Sequence, residues 1–321
     1  MQKISDKLVS ICMATYNGEM YLSQQLDSLI SQTYKNIEVV VQDDCSSDKT
    51  LEVLNEYKER LNLKIYQNEK NLGFMQNFES VLKKAEGDFI AICDQDDIWE
   101  SDKIELLLHN IEDSTLVYSD SMLIDENGNS LNQNFSSSLK NNFITTKNPL
   151  AFLNDNCVSG HAMLFKKDLL KYIFPFSQTV FFDAWIAANA ATLNGVKYFN
   201  KPLVRYRQHG NNTLSKYNNK SKSVIDRISS KAQKKLENSD AKIARIDSFL
   251  KLVLLNDNEK MLLNELKVQY GKFQNSWFNF RLFNFLKSNQ DKLFEITKKN
   301  INRLILKESI GYKLYKIAPF L

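Results

Sequence analysis

The chain has 321 residues, of which 43% are hydrophobic and 25% are charged, so it can form a sizeable core and is not a disordered chain. Its four cysteines form no CxxC pair, which excludes the common zinc and disulfide frameworks, and no stretch approaches the roughly 18 apolar residues of a membrane span. The net charge of +4 combines an acidic region of −8 with a basic region of +12 that begins at Lys216, so we expect two regions with different partners.

Short β-prone runs alternate with amphipathic helical patterns in the first part of the chain. We predict strands over 8–17, 37–46, 63–68, 89–93 and 115–120. We predict helices over 20–34, 47–61, 75–85 and 101–113, with Ser47 as the N-cap of the second. This alternation is typical of βαβ units, so the sequence predicts an α/β fold in which helices flank a mostly parallel sheet.

The remainder is less regular and then becomes helical. We predict an Asn- and Ser-rich loop over 127–142, a strand over 157–166 and a helix that begins near Asp183. Beyond Lys216 the pattern is helical and basic. The predicted division is a domain over 1–215, with halves of about 1–125 and 126–215, and a basic helical C-terminal region over 216–321.

Polar residues follow several predicted strands, at the edge of a parallel sheet where ligands bind. The densest group is DQDD, in which Asp94, Asp96 and Asp97 follow the strand over 89–93. Carboxylates repel one another and resist burial, and a divalent cation that prefers oxygen ligands, such as Mg²⁺ or Mn²⁺, offsets both effects. The sequence therefore predicts a metal or ligand site at the end of this strand.

Three classes of protein place carboxylates in this way. In a metal-dependent phosphohydrolase of the haloacid-dehalogenase type, Asp94 would be the nucleophile, but Ile98 stands where that family has Thr or Val. A receiver domain also has paired acids at strand ends, but it needs far fewer residues than this chain has. The third class binds a metal–diphosphate, and the remaining motifs favour it.

Six motifs follow one another between Val9 and Asn212, namely VSICMATYNGEMYLSQQLDSLISQTY, VVVQDDCSSDKT, NLGFMQNFESVLKKAEGDFIAICDQDDIW, YSDSMLIDENG, NCVSGHAMLF and YRQHGNN. With these motifs the sequence resembles the family 2 glycosyltransferases of the GT-A fold, especially the bacterial rhamnosyltransferase-like members. The resemblance implies a Rossmann-like sheet, here with a helical C-terminal region, and inverting transfer of a sugar from a nucleotide-diphospho-sugar.

The resemblance also implies roles for the residues of the first half. The residues expected to bind the nucleotide are Thr15, Tyr16, Glu19, Asp43 and Asp44. Either Asp43 or Asp44 would accept a hydrogen bond from the imide N–H of uracil or thymine. In DQDD, Asp96 would coordinate Mn²⁺ or Mg²⁺, Asp97 would support it, and Asp94 would face the ribose or the donor sugar.

In the second half, the resemblance assigns the general base to Asp183, although Ala184 separates it from Trp185 where the family has Asp-Trp. The alternative for Asp183 is that it only caps the helix. His209 would reach the metal or the diphosphate, Arg205 or Arg207 would pair with phosphate, and His161 would line the donor pocket.

These roles predict a hexosyltransferase. The expected donor is dTDP-rhamnose, and a UDP-hexose is the second choice. The expected acceptor is a growing surface polysaccharide, such as a capsule or a cell-wall polymer, on a polyprenyl diphosphate. We expect a cytoplasmic protein on the inner face of the plasma membrane, where the basic C-terminal region binds anionic lipid; packing on the catalytic domain or homodimerisation are the alternatives for that region. Nucleic acid is not an expected partner. A non-catalytic nucleotide-sugar binder remains an alternative.

Overall fold

The structure is a computed structural model that describes residues 6–139, 141–210, 224–272, 276–298, 300–311 and 313, with the backbone alone over 224–236. The predicted division at residue 215 lies outside these residues. The strands are β1 (Val9–Thr15), β2 (Ile37–Asp43), β3 (Leu63–Gln67), β4 (Phe89–Cys93), β5 (Ile98–Trp99), β6 (Leu116–Ile124), β7 (Ser130–Asn134), β8 (Met163–Lys166) and β9 (Val196–Arg207).

Helices lie between the strands and make up most of the described C-terminal region. They are α1 (Leu22–Ile30), α2 (Thr50–Glu56), α3 (Phe74–Leu82), α4 (Lys103–Ile111), α5 (Phe135–Ser138), α6 (Leu170–Ile173), α7 (Phe182–Thr192), α8 (Val224–Phe249), α9 (Asp257–Gly271), α10 (Phe280–Ser288), α11 (Gln290–Leu293) and α12 (Ile301–Ser309). Short 3-10 helices cover Pro149–Phe152, Gly160–Ala162 and Lys167–Leu169.

The nine strands form one mixed sheet in the order β3-β2-β1-β4-β8-β6-β9-β5, and β7 pairs with β6 beside that order. The first four strands of the order are parallel neighbours. β8 runs antiparallel to both β4 and β6, and β9 is parallel to β6. Because β1, β2 and β4 are parallel and in register, their carboxyl ends meet at one edge of the sheet.

The predicted α/β arrangement is confirmed, and three local predictions are wrong. The segment 127–142 is not a loop throughout, because it contains β7 and α5. Only the last part of 157–166 is a strand, since Gly160–Ala162 form a 3-10 helix. Ser47 does not cap α2, which begins at Thr50; instead the Asp48 carboxylate accepts the Thr50 backbone N–H at 3.0 Å.

The sheet separates two apolar layers, as the alternation along β1 shows. Val9, Ile11 and Met13 face a layer formed with α1, α2 and α4, whereas Cys12 faces the layer that contains α3 and α7. Each fully buried aliphatic side chain stabilises the fold by about 1.5–3 kcal/mol. The sheet is thus covered by an apolar layer on each face.

The described C-terminal helices pack on the acceptor half of the chain. Phe249, Leu263 and Leu293 are buried in the same apolar cluster as Phe152 and Trp185. Polar bonds accompany this packing: the Asn148 side chain donates to the Lys292 carbonyl at 2.8 Å, and the Asn154 side chain donates to the Leu293 carbonyl at 3.0 Å. Among the described residues, none of the helices is long and apolar enough to cross a membrane.

Candidate functional site

Asp43 and Asp44, at the end of β2, are buried and fully hydrogen-bonded. Asp43 accepts bonds from the Thr15 hydroxyl at 2.9 Å, the Ser46 backbone N–H at 2.9 Å and the Ser46 hydroxyl at 2.5 Å. Asp44 accepts from the Asn68 side chain at 2.7 Å and from the backbone N–H groups of Leu72 and Gly73, each at 2.8 Å. These carboxylates therefore fix the loops that precede α2 and α3.

Two further residues with predicted nucleotide roles lie on the loop that follows β1. The Tyr16 ring is 48% exposed, and the backbone of Tyr16 exchanges two hydrogen bonds with the Gln95 side chain, at 2.9 and 3.1 Å. The Glu19 carboxylate accepts the Lys49 backbone N–H at 2.9 Å. Hydrogen bonds thus tie the loop to the end of β4 and to the start of α2. The bonds to the end of β4 use the backbone of Tyr16, and its ring stays accessible.

Asp94 and Asp97 form a compact acidic cluster with His161 at the end of β4. One ligand-type atom from each residue lies within 4.8 Å of the others. His161 Nδ1 lies 3.6 Å from Asp94 Oδ2 and 3.8 Å from Asp97 Oδ2. The cluster unites one predicted metal residue, Asp97, with two residues predicted to contact the donor.

Asp97 is fully buried, and its two oxygens differ. Oδ1 accepts the Arg207 backbone N–H at 3.0 Å, whereas Oδ2 has no hydrogen-bond partner among the described residues. Burial raises the pKa of Asp97 well above its usual range, and the charges of Asp96 and Asp94 raise it further. A buried carboxylate oxygen without a donor is costly unless a cation binds it. The donor set of two carboxylates and an imidazole therefore fits a divalent cation.

Asp96 and His209, both predicted to reach the metal, pair with each other. His209 Nε2 lies 2.9 Å from Asp96 Oδ2, and the His209 ring packs 5.1 Å from the Tyr21 ring. The pair lies beside the cluster of Asp94 and Asp97, because Asp96 is one residue from Asp97. Whether Asp96 and His209 join the metal shell stays a prediction.

Arg207 is fully buried and donates hydrogen bonds to the DQDD segment. Its Nε donates to the Asp96 carbonyl at 2.8 Å and its Nη2 donates to Gln24 Oε1 at 2.7 Å, while its guanidinium lies 4.5 Å from the Tyr21 ring centroid. Its Nη1 donates to the Glu126 carbonyl at 2.9 Å. The side chain thus positions the acidic segment, and its predicted pairing with phosphate stays a prediction.

His161 is held from three sides. Its Nε2 lies 2.9 Å from the Ser121 hydroxyl, and its ring stacks on Tyr206 with a centroid distance of 4.5 Å. Its carbonyl accepts a 2.5 Å bond from Lys103 Nζ. With Nε2–H donating to Ser121, the lone pair of Nδ1 points to the two carboxylates.

Lys103 is fully buried beneath this site, where its ammonium lies 3.1 Å from the Trp99 ring centroid. Burial lowers the pKa of Lys103 to about 7, against the opposing effect of Cys93, Asp97 and Asp94. A protonated Lys103 provides positive charge behind the acidic cluster, so it limits the repulsion between the carboxylates.

Asp183 is the second residue of α7, not its N-cap, which is Phe181. Its Oδ1 accepts the Ala184 backbone N–H at 2.6 Å. Burial raises the pKa of Asp183 to about 6, and the charge of Asp94 adds to the shift while Arg245 opposes it. A carboxylate that titrates close to neutral pH suits a general base.

Several residues that position the site were not identified from the sequence, chiefly Gln95, Lys103 and Ser121. Lys103 gave a signal, because it precedes Leu107 by four residues and so shares the buried face of α4. Gln95 lies within DQDD, but a chain position alone does not show that its amide binds the β1 loop. Ser121 gave no signal, since its contact with His161 joins residues 40 positions apart.

The chain is similar in sequence to known glycosyltransferases. The sequence model of the glycosyl transferase family 2 matches residues 10–174, more than half of the chain. A glycosyltransferase of Haemophilus influenzae is 27% identical over 285 residues, which cover 82% of this chain and 85% of that protein.

Two relatives named for their activities match shorter segments. The poly(ribitol-phosphate) β-N-acetylglucosaminyltransferase TarS of Staphylococcus aureus is 44% identical over 91 residues, 27% of this chain and 16% of TarS. The UDP-Glc:α-D-GlcNAc-diphosphoundecaprenol β-1,3-glucosyltransferase WfgD of Escherichia coli is 41% identical over 103 residues, 32% of this chain and 40% of WfgD.

The fold is also found among solved structures. The crystal structure of TarS 1–349 in complex with UDP-GlcNAc aligns with a TM-score of 0.57 at 22% identity, covering 89% of this chain and 78% of that one. This likeness confirms the predicted GT-A arrangement of the sheet and helices. With the family match over residues 10–174, it follows that the chain belongs to glycosyl transferase family 2.

Proposed function

We propose that this glycosyltransferase transfers a sugar from a nucleotide-diphospho-sugar to a hydroxyl group of a growing surface polysaccharide or lipid-linked saccharide. The observation that carries the proposal is the cluster of Asp94, Asp97 and His161, in which a buried carboxylate oxygen has no hydrogen-bond partner among the described residues. A cation there would lie at the carboxyl end of β4, beside the loops that carry the predicted nucleotide residues.

The proposed cation is held by Asp94, Asp97 and the Nδ1 atom of His161. Mn²⁺ suits this set better than Mg²⁺, because Mg²⁺ prefers oxygen ligands alone. When bound, the cation offsets the negative charge of the donor diphosphate and of the nucleoside diphosphate that departs. The chain's own contribution is to hold the Asp97 carboxylate through the Arg207 backbone N–H and the His161 imidazole through the Ser121 hydroxyl.

We propose that Asp183 is the general base that takes the proton of the acceptor hydroxyl. As the hydroxyl oxygen attacks the anomeric carbon, its proton passes to the Asp183 carboxylate and the bond from that carbon to the diphosphate oxygen breaks. A single displacement of this kind inverts the anomeric configuration. The Ala184 N–H bond keeps the carboxylate oriented at the start of α7.

The donor nucleotide is proposed to lie against the loop after β1. The exposed Tyr16 ring is available to a base or ribose, and Thr15, Asp43 and Asp44 form the floor beneath. A UDP-linked sugar is favoured, because WfgD is named for UDP-Glc and the TarS structure holds UDP-GlcNAc. The use of dTDP-rhamnose stays a prediction from the sequence.

We also propose that the C-terminal region contacts the membrane that carries the acceptor. It presents large exposed apolar side chains, among them Met261 (70% exposed), Trp277 (53%) and Phe280 (71%), on a chain segment with a net charge of +12. Such a combination favours anionic interfaces. The full chain should co-sediment with phosphatidylglycerol vesicles, and the double variant Trp277→Ser and Phe280→Ser should do so several-fold less. Equal sedimentation of both proteins would favour a self-association surface instead.

The test of the function is a panel of dTDP-rhamnose, UDP-glucose, UDP-galactose, UDP-N-acetylglucosamine and GDP-mannose, each with and without Mn²⁺. We expect one uridine or thymidine donor to raise the melting temperature in the presence of Mn²⁺, with slow release of its nucleoside diphosphate. No response to any donor, together with turnover of a generic phosphomonoester, would support the phosphohydrolase alternative and contradict the proposal.

A further inference from the structure

Gln95 lies within DQDD, and its side chain is bonded to the loop over residues 16–19 that follows β1, here called the Tyr16 loop. Its Oε1 accepts the Tyr16 backbone N–H at 2.9 Å, and its Nε2 donates to the Tyr16 carbonyl at 3.1 Å. An amide that binds both the N–H and the carbonyl of one residue fixes the distance and the orientation of that residue. Gln95 thus holds Tyr16 in a defined place relative to the carboxylates of Asp94 and Asp97.

Gly18, two residues after Tyr16, leaves the space that this amide occupies. A Cβ atom at residue 18 would lie 2.4 Å from Gln95 Oε1 and 2.7 Å from Gln95 Cδ, closer than side-chain atoms pack. The φ angle of Gly18 is not positive, so its backbone conformation is open to other residues. The close approach of Gln95 therefore explains the glycine at this position.

The Tyr16 loop is bound on its other side to the segment before α2. The Asn17 backbone N–H donates to the Ser46 hydroxyl, and Asn17 Oδ1 accepts the Ser47 backbone N–H, each at 2.9 Å. Ser46 in turn donates two bonds to Asp43, in the floor of the proposed nucleotide site. The loop therefore joins this floor to the acidic segment, and the Gln95 amide makes the second of these two connections.

We propose that Gln95 is a positioning residue that sets the distance between the donor nucleotide and the cation. The donor is a single molecule, with its base or ribose at Tyr16 and its diphosphate at the cation held by Asp94 and Asp97. Both contacts can form together only when their spacing matches the ligand. This role of Gln95 rests on the proposed function. The bond between Gln95 and the Tyr16 loop does not, because it can be measured in the stability of the unliganded chain.

The first test is a double-mutant cycle of Gly18→Ala and Gln95→Ala in the full chain, measured by urea unfolding. Gly18→Ala displaces the Gln95 amide, so it should lower the unfolding midpoint in the wild-type background but have little further effect in the Gln95→Ala background. Gly271→Ala is the matched control and should be additive with Gln95→Ala, because a Cβ atom there meets no other atom within 4 Å.

Additive effects of Gly18→Ala and Gln95→Ala would overturn the proposal, since the amide would then not occupy the space beside Gly18. A Gly18→Ala variant that folds only in the Gln95→Ala background would show the same coupling as a lowered midpoint. Failure of Gly18→Ala to fold in both backgrounds would contradict the coupling.

The second test measures by isothermal titration how strongly UDP and Mn²⁺ promote each other's binding. The dissociation constants are those of Mn²⁺ alone, of UDP in EDTA and of UDP at saturating Mn²⁺. In Gln95→Met the first two should stay close to the wild-type values, because each part of the site is still present. The factor by which Mn²⁺ strengthens UDP binding should fall by about tenfold. Gln67→Met, at an exposed glutamine of β3, is the matched control and should keep the wild-type factor.

The outcomes of this test separate positioning from a general structural role. An unchanged factor in Gln95→Met would contradict the proposal, and so would equal losses in all three dissociation constants, which indicate only a damaged fold. Absence of UDP binding by the wild type would contradict the proposed function and leave the Gly18 and Gln95 cycle as the deciding test.

Discussion

Two pairs of carboxylates, Asp43 and Asp44 at the end of β2 and Asp94 and Asp97 after β4, follow two parallel strands that are separated by β1. The sequence presents the two pairs in nearly the same way. Asp43 and Asp44, at the end of β2, are buried but receive three hydrogen bonds each from β1 and from the loops before α2 and α3. Asp97, after β4, is equally buried, yet one of its oxygens receives none from the described residues. The chain itself therefore supplies hydrogen-bond donors to both carboxylates of the first pair. In the second pair, the Asp97 oxygen gains a partner only when a cation binds.

The difference lies in the hydrogen-bond donors around the two strand ends. At the end of β2, the loop before α2 directs the Ser46 backbone N–H to Asp43, and the loop between β3 and α3 directs the backbone N–H groups of Leu72 and Gly73 to Asp44. After β4, the donors face elsewhere: Arg207 binds the Asp96 carbonyl, and Lys103 binds the His161 carbonyl. Density of acidic residues is therefore a weaker sign of a metal site than a shortage of hydrogen-bond donors around them.

The largest effect is expected from Asp97→Asn. Because the amide loses the negative charge that the cation needs, release of nucleoside diphosphate from the donor should fall by about 10³-fold. The measurement is donor hydrolysis in excess Mn²⁺, with Asp44→Asn as the matched substitution at the other pair. Near wild-type rates in Asp97→Asn would remove Asp97 from the metal shell.

Asp183→Asn should lower the rate of sugar transfer by about 10²-fold or more, with the UDP dissociation constant unchanged, since the variant removes the base but not the donor site. In the wild type, transfer should fall as the pH drops below about 6, because a base acts only when deprotonated and the pKa of Asp183 is raised to about 6. A pH–rate profile checks both statements. A variant with full activity would show that another group takes the proton.

Ser121→Ala should weaken Mn²⁺ binding by about tenfold, because it removes the hydroxyl that orients His161 at Nε2. Ser119→Ala is the control: Ser119 is equally buried, and its hydroxyl donates to the Asp120 carbonyl instead. Isothermal titration with Mn²⁺ measures both variants. Equal Mn²⁺ affinities would indicate that His161 lines the donor pocket and does not bind the cation.

The smallest effect concerns stability in the absence of metal, where the two pairs should respond in opposite ways. Asp44→Asn places an N–H₂ group against backbone N–H donors and should lower the free energy of unfolding by about 1–3 kcal/mol. Asp97→Asn removes a buried uncompensated charge and should leave that free energy unchanged or raise it. Urea unfolding in EDTA measures both; a loss in Asp97→Asn as large as that in Asp44→Asn would contradict the comparison.

Local sequence patterns were sufficient to predict β1 to β4, β6 and the strand ends that carry the site, but not β5, β7 or β9. β4 was predicted at its observed bounds, because a short apolar run that ends in acidic residues is typical of a buried strand that ends at a polar edge of the sheet. The partners of the acids could not be predicted, since they come from distant parts of the chain. Arg207 is 110 residues from Asp97, and α4, β6 and β7 lie between the two carboxylates and His161 in the sequence.

The most direct test of the account is the Mn²⁺ affinity of three proteins at saturating UDP: the wild type, Asp97→Asn and Asp44→Asn. We expect Asp97→Asn to lose measurable Mn²⁺ binding and Asp44→Asn to keep the wild-type affinity for Mn²⁺. Wild-type affinity in Asp97→Asn, or equal losses in both variants, would show that the orphan oxygen of Asp97 does not mark the metal site.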